Sequence, residues 1–154
     1  MQRQRKDKNS YIGQIDFIFY HEEEIREAVL NRRSYQSYGN LNGGGLITVN
    51  ENGMSDPTAR QAVKNLSLIE SVVTKSGYKI KRPESWLIVI DKTYNWCKAQ
   101  KDCRYEIAQR RYNGEDYRKT CHELNISNST RRRLFELVQM YAALQAVQLG
   151  LIQV

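Results

Sequence analysis

The stretch NGEDYRKTCHELNISNSTRRRLFELVQMY, from Asn113 to Tyr141, leaves the chain little choice of local structure. Two amphipathic segments flank a break too short for anything but a sharp turn between packed helices, which predicts a helix-turn-helix. The first helix runs from Glu115 to Leu124, with Tyr117, Cys121 and Leu124 at i, i+4 and i+7 on its inward face. Asn125 and Ile126 supply the turn, Asn125 because it tolerates the left-handed conformation and Ile126 as an apolar plug. Ser127 caps the second helix, its hydroxyl accepting the N–H of Ser129 or Thr130. Thr130, Leu134, Leu137, Val138 and Tyr141 turn an apolar face toward the first helix.

At about 100° per residue, that second helix carries Asn128, Ser129, Arg132 and Arg133 opposite or beside its apolar stripe, with Arg131 at the edge. A DNA major groove admits one α-helix, and side chains of its first turns reach base edges. Arginine can bind guanine in bidentate fashion, and asparagine adenine. Arg118 and Lys119 on the first helix, and Arg110 and Arg111 just before it, suit the phosphates alongside the groove. The competing expectation is that Arg131, Arg132 and Arg133 only solvate an exposed helix. The cap, the turn and the upstream basic residues favour double-stranded DNA as the partner.

The segment YEIAQRRYNGEDYRKTCHELNISNSTRRRLFELV resembles the sigma-factor-type helix-turn-helix of region four. In that pattern a short aromatic-basic helix precedes a loop, a first helix, L-x-I-S, and a recognition helix opening on Ser/Thr and basic residues. SDPTARQAV at Ser55 to Val63 and KRPESWLIVI at Lys81 to Ile90 extend the likeness to the phage and prophage late-gene regulators of the RinA and ArpU type. The chain departs from the pattern at Asn125, where glycine is common. The resemblance implies an activator of phage or prophage late genes, acting in the cytoplasm of a bacterial host, with host RNA polymerase as a candidate partner.

The formal net charge of +7 independently favours a polyanionic partner. No segment approaches the ~20 apolar residues of a membrane span, so no membrane partner is expected. MQRQRKDKNS at the N-terminus is basic but lacks the apolar core of a secretory signal. Cys97, Cys103 and Cys121 are odd in number and have no zinc-like spacing, which agrees with a reducing compartment. No metal or other cofactor is implied. His21 stands beside the acidic Glu22, Glu23 and Glu24, but neighbouring positions point in different directions around a helix. His21 and His122 are the only histidines, and no nucleophile–base pair is visible. Cys121 falls on the inward stripe, as a small buried hydrophobe would. An enzyme is therefore not expected.

The expected class is all-α, about six helices with a C-terminal helix-turn-helix and a long final helix. Residues 1–33 read as a basic arm followed by a helix from Tyr11 to Arg33, with Ile12, Ile15, Ile18, Phe19, Ile25, Ala28 and Val29 at helical spacing. The arm is either plainly solvated or tracks phosphates. Residues 34–55 read as a Gly/Asn-rich loop, in which LITV and Asn52-Gly53 could form a strand or hairpin. The triplet Gly43, Gly44, Gly45 has no Gly-Lys-Ser/Thr after it and is no phosphate loop.

Residues 56–101 read as a helical core. Asp56-Pro57 starts one helix, with Ala59, Ala62, Val63, Leu66, Ile69 and Val73 at helical intervals and Gly77 at its end. SGYKIKR makes a basic connector. Pro83-Glu84 starts the next helix, whose Trp86 to Ile90 are apolar nearly all round. Residues 102–154 hold the sigma-like region, opening on a short helix from Cys103 to Tyr112 with Ile107, Ala108 and Tyr112 inward. Beyond Tyr141 the final helix continues without charge through Leu144, Val147, Leu149, Leu151 and Ile152, to be buried either within the chain or across a homodimer interface. The main alternative function is a phage DNA-packaging adaptor, a small terminase-like subunit that binds DNA as a ring.

Overall fold

Six helices and one short hairpin account for the regular structure among the described residues. A computed structural model of the chain describes residues 11–38 and 67–153. The helices are α1 (Tyr11–Tyr20), α2 (Glu22–Tyr38), α3 (Pro83–Ala99), α4 (Arg104–Tyr112), α5 (Tyr117–Glu123) and α6 (Asn128–Gln148). Strands β1 (Ser71–Val73) and β2 (Lys79–Lys81) pair antiparallel, Val72 opposite Ile80. The all-α class holds, with this hairpin as its one sheet among the described residues. None of the described helices is long and apolar enough to cross a membrane.

The hairpin replaces the second half of the helix expected from Asp56 to Gly77; its first half, like the 1–10 arm and most of the 34–55 loop, lies outside the described residues. Helical spacing places Ile69 and Val73 on one face, but Val72 and Ile80 are the buried pair and Val73 is exposed. The β-branched run Val72, Val73, Thr74 fits a pleated strand better than a helix. Gly77, at φ 82°, serves the hairpin turn rather than a helix end. Its N–H donates to the Thr74 carbonyl at 2.9 Å, and Thr74 N–H to Tyr78 O at 2.9 Å.

A second correction concerns the helix read from Tyr11 to Arg33, which is two helices divided at His21. Glu22, Glu23 and Glu24 occupy the first turn of α2, where negative charge complements the partial positive charge of a helix start. The same helix runs on past Arg33 to Tyr38.

Two compact units emerge, one made of residues 11–22 and 85–153 and the other of 23–38 and 67–84 among those described. In the smaller unit Glu84 is the fastening. Its carboxylate accepts the Ile69 N–H at 3.0 Å and pairs with Arg33, whose Nε donates at 3.1 Å. Glu24 holds the hairpin turn, accepting the Ser76 N–H at 3.0 Å and its hydroxyl at 2.9 Å.

The larger unit is built on α6, which packs against α1, α4 and α5. Ile15, Ile18 and Phe19 of α1 meet Ile107, Ala108 and Tyr112 of α4 and Leu134, Phe135 and Val138 of α6, all buried. Asp16 accepts the Tyr112 hydroxyl and a Gln139 Nε2 donor, each at 2.9 Å, so the one acidic group of α1 is satisfied by α4 and α6. Burial, then the nearby Asp16 charge, push the Tyr112 phenol well above its ordinary pKa. On α3, Trp86, Val89, Ile90, Thr93 and Cys97 are buried, whereas Ile88 is exposed. This helix is thus one-sided, not apolar all round. Trp96 stacks on Tyr141 at 4.3 Å with a 4° interplanar angle, and the Arg104 guanidinium lies 4.6 Å from the Trp96 ring centre.

Candidate nucleic-acid interface

Each boundary of the helix-turn-helix is set by a local hydrogen-bond motif that the residue types require. Gly114 ends α4 at φ 78°, with Glu115 N–H reaching Arg110 O at 2.9 Å and Gly114 N–H reaching Arg111 O at 3.1 Å. Asp116 caps α5, its carboxylate accepting the Arg118 N–H at 2.6 Å. Asn125 ends α5 at φ 50°, Ile126 N–H donating to Cys121 O at 3.0 Å and Asn125 N–H to His122 O at 3.2 Å. That pair of bonds is the Schellman arrangement, which needs a left-handed residue at this position. Ser127 caps α6 by accepting the Thr130 N–H at 3.1 Å. Turn and cap thus follow the residues expected for them.

Packing between the two helices departs from the expected stripe in one respect. Tyr117 is 42% exposed, whereas Thr120, one turn on, is buried. The Thr120 hydroxyl has two acceptors in reach, Glu115 Oε1 at 3.2 Å and the Asp116 carbonyl at 3.3 Å, so it is satisfied locally. Cys121 and Leu124 are half-buried. On α6, Leu134 and Val138 face inward as expected, but Leu137 is 38% exposed.

Asn128, Ser129, Arg132 and Arg133 are exposed at the start of α6. Arg132 and Arg133 make no ion pair or side-chain hydrogen bond among the described residues. Arg131 is half-buried, its Nε donating to Asn128 Oδ1 at 3.1 Å and its guanidinium lying 5.4 Å from the Tyr117 ring centre. Arg118 lies on the same ring at 5.8 Å, and its Nε donates to the Tyr117 hydroxyl at 3.3 Å. Tyr117 therefore joins the two helices through a pair of cations, an arrangement that its expected inward orientation hid. A tyrosine beginning a capped helix next to arginine is the signal that could have shown it.

Other expected phosphate contacts are arranged differently. Arg110 pairs with Glu115 at 2.9 Å and with Glu123, bridging the two ends of α5. Lys119 lies 3.6 Å from Glu115 and 3.8 Å from Glu123. Burial raises the Glu115 pKa, but Arg110, Lys119 and the Thr120 hydroxyl together hold it below its ordinary value. The carboxylates at i−4 and i+4 from Lys119 were legible as spacing, yet their claim on Arg110 was not. Arg111 is exposed, 5.9 Å from the Tyr20 ring centre. The site thus divides into the exposed start of α6, where Arg132 and Arg133 lack a carboxylate partner among the described residues, and a flank whose cations share two glutamates.

The amide, hydroxyl and guanidinium groups at the start of α6 offer both hydrogen-bond donors and acceptors to solvent. Among the described residues no group of three or more His, Cys, Asp and Glu side chains could hold a metal ion. His122 is exposed beside half-buried Cys121. Neither the known protein families, nor curated proteins, nor solved structures provide a match to this chain.

Proposed function

We propose that this protein is a sequence-specific regulator of transcription that reads double-stranded DNA through the major groove with the start of α6. The observation carrying this reading is the exposed set Asn128, Ser129, Arg132 and Arg133 on the first turns of a capped helix whose opposite face is buried. Arg132 and Arg133 suit guanine, Asn128 suits adenine, and Arg118 and Arg131 around Tyr117 suit the adjoining phosphates. The likeness of Tyr105 to Val138 to sigma region four supports a role in a bacterial cytoplasm, as an activator of phage or prophage late genes working with host RNA polymerase.

The test is a selection from random duplex DNA at near-physiological salt, run on the wild type and on Arg132→Ala. An enriched motif that the variant loses or relaxes is the expected outcome, with discrimination of about 1–3 kcal/mol per bidentate contact. Binding without any motif, fading steeply with salt in both proteins, would sink the reading. A packaging adaptor that holds DNA in a ring would then account better for the basic face.

A further inference from the structure

The helix that carries the reading end also carries a second surface with no counterpart in the core. Leu134, Val138, Ala142 and Gln145 of α6 are buried against the rest of the unit. On the opposite side Leu137, Met140, Leu144 and Val147 are 38%, 65%, 52% and 39% exposed. Their intervals of three, four and three residues are the a/d alternation of a two-stranded helical seam. From Leu137 to Val154 the chain has no Asp, Glu, Lys or Arg, although 27% of the whole sequence is charged. An ordinary solvent-facing helix would place its charge here.

We propose that this seam docks a second copy of the same chain, with the two α6 helices antiparallel. Charge selects that occupant. Two copies at +7 repel each other over most of their surface, and the uncharged seam is where that cost is smallest. A strongly acidic or basic partner would find nothing on it to pair with. A two-fold interface must also be self-complementary, and an uncharged row of large apolar side chains satisfies this against itself. The seam is short, about 15 Å at 1.5 Å per residue, which keeps it below the standard ~1,600 Å² interface and in the class of weak, reversible associations.

Orientation follows from the DNA reading, on which this step rests. Antiparallel pairing centres the two-fold axis near Ala142, so residues 128–133 of each copy stand about 17 Å from it and about 35 Å from each other. That is one turn of B-DNA, the spacing of the two half-sites read by a helix-turn-helix dimer, about 34–36 Å. Arg132 lies about 100° around α6 from the seam's centre, so the two-fold operation turns both Arg132 side chains to the same side. A parallel pair would set the reading ends side by side, about 10 Å apart, and serve no pair of grooves.

Sedimentation of the full chain from 1 to 200 µM tests the seam without DNA, on the wild type, Met140→Glu/Leu144→Glu and, as a control, Leu68→Glu, with circular dichroism to establish that each is folded. The expected result is a reversible dimer for the wild type and the control, and at least a hundredfold weaker association for the double variant with its helix content intact. A wild type that stays monomeric throughout overturns the proposal. A dimer equally strong in the double variant overturns it as well. Selected DNA gives the orientation: an inverted repeat with half-sites about one turn apart is expected for the wild type, and a single half-site for the double variant. A dimer that selects no motif leaves the seam standing and refutes the DNA reading; a monomer that selects one half-site does the reverse. Half-sites in direct repeat would overturn the antiparallel arrangement.

Discussion

Replacing Asn125 separates the backbone's contribution to the helix-turn-helix from everything its side chain does. Asn125 sits at φ 50°, is exposed, and its side chain makes no hydrogen bond among the described residues. An ordinary L-residue pays roughly 1–2 kcal/mol in that conformation, and asparagine less. Asn125→Ala should therefore cost about 1 kcal/mol, and Asn125→Val about 2 kcal/mol because its branched Cβ crowds the preceding carbonyl further. Asn125→Gly removes the strain but frees the unfolded chain by about 0.4–1 kcal/mol, so the net change should stay within about 0.5 kcal/mol. For a chain of this size 1 kcal/mol shifts Tm by about 2–4 °C. Urea unfolding supplies the assay, with midpoints compared at unchanged slope. The order Gly and Asn together, then Ala, then Val is the expected outcome. Glycine and alanine variants of equal stability would refute the argument, because only backbone conformation distinguishes them here.

Three further expectations concern charge. Glu123→Gln releases Arg110 and Lys119 from one of their two shared carboxylates, so duplex DNA should bind more tightly at low salt and the slope of log K against log salt should steepen by roughly 0.9 per added phosphate contact; an unchanged slope in a salt titration would show that these cations do not reach DNA. Glu84→Ala removes the acceptor of the Ile69 N–H and the ion pair to Arg33 and should destabilise the smaller unit by about 2 kcal/mol, read as faster amide exchange across β1 and β2, whereas unchanged exchange would rule out the fastening role. Acid should loosen the stack of Arg104 on Trp96: the hydrogen bond from Arg104 holds Asp102 below its ordinary pKa, so the pair's contribution is complete above about pH 4 and is lost as the pH falls through the depressed value. Fluorescence of Trp96 in the Trp86→Phe variant follows this, and a signal flat from pH 5 to 2 would refute it.

The sequence was most legible where one residue type decides one backbone choice. Ser127 and the Asn125 turn form the boundaries expected of them, and Gly114 and the inward face of α4 likewise follow from the residues. Legibility failed where two periods fit the same letters. Between Ile69 and Gly77 the apolar residues satisfy helical intervals, but Val72 must pair with Ile80, whose distance along the chain no local pattern records. Tyr117 failed for another reason: apolar spacing counted its ring as core, whereas two cations and a hydroxyl acceptor keep it at the surface. At the start of α6 spacing located the exposed residues, but it could not see that Arg110 of α4 is shared between Glu115 and Glu123, since that depends on how α4 meets α5.

The parallel rings of Trp96 and Tyr141, 4.3 Å apart, make the protein its own optical gauge. Stacked chromophores couple their transitions only while they remain face to face, and these two belong to α3 and α6. A near-ultraviolet circular dichroism band from the pair would therefore register any slippage of the long helix against α3 without a label. Since α6 exposes Asn128, Ser129, Arg132 and Arg133 at one extremity, titration with duplex DNA followed at that band would report whether binding there is felt inside the bundle.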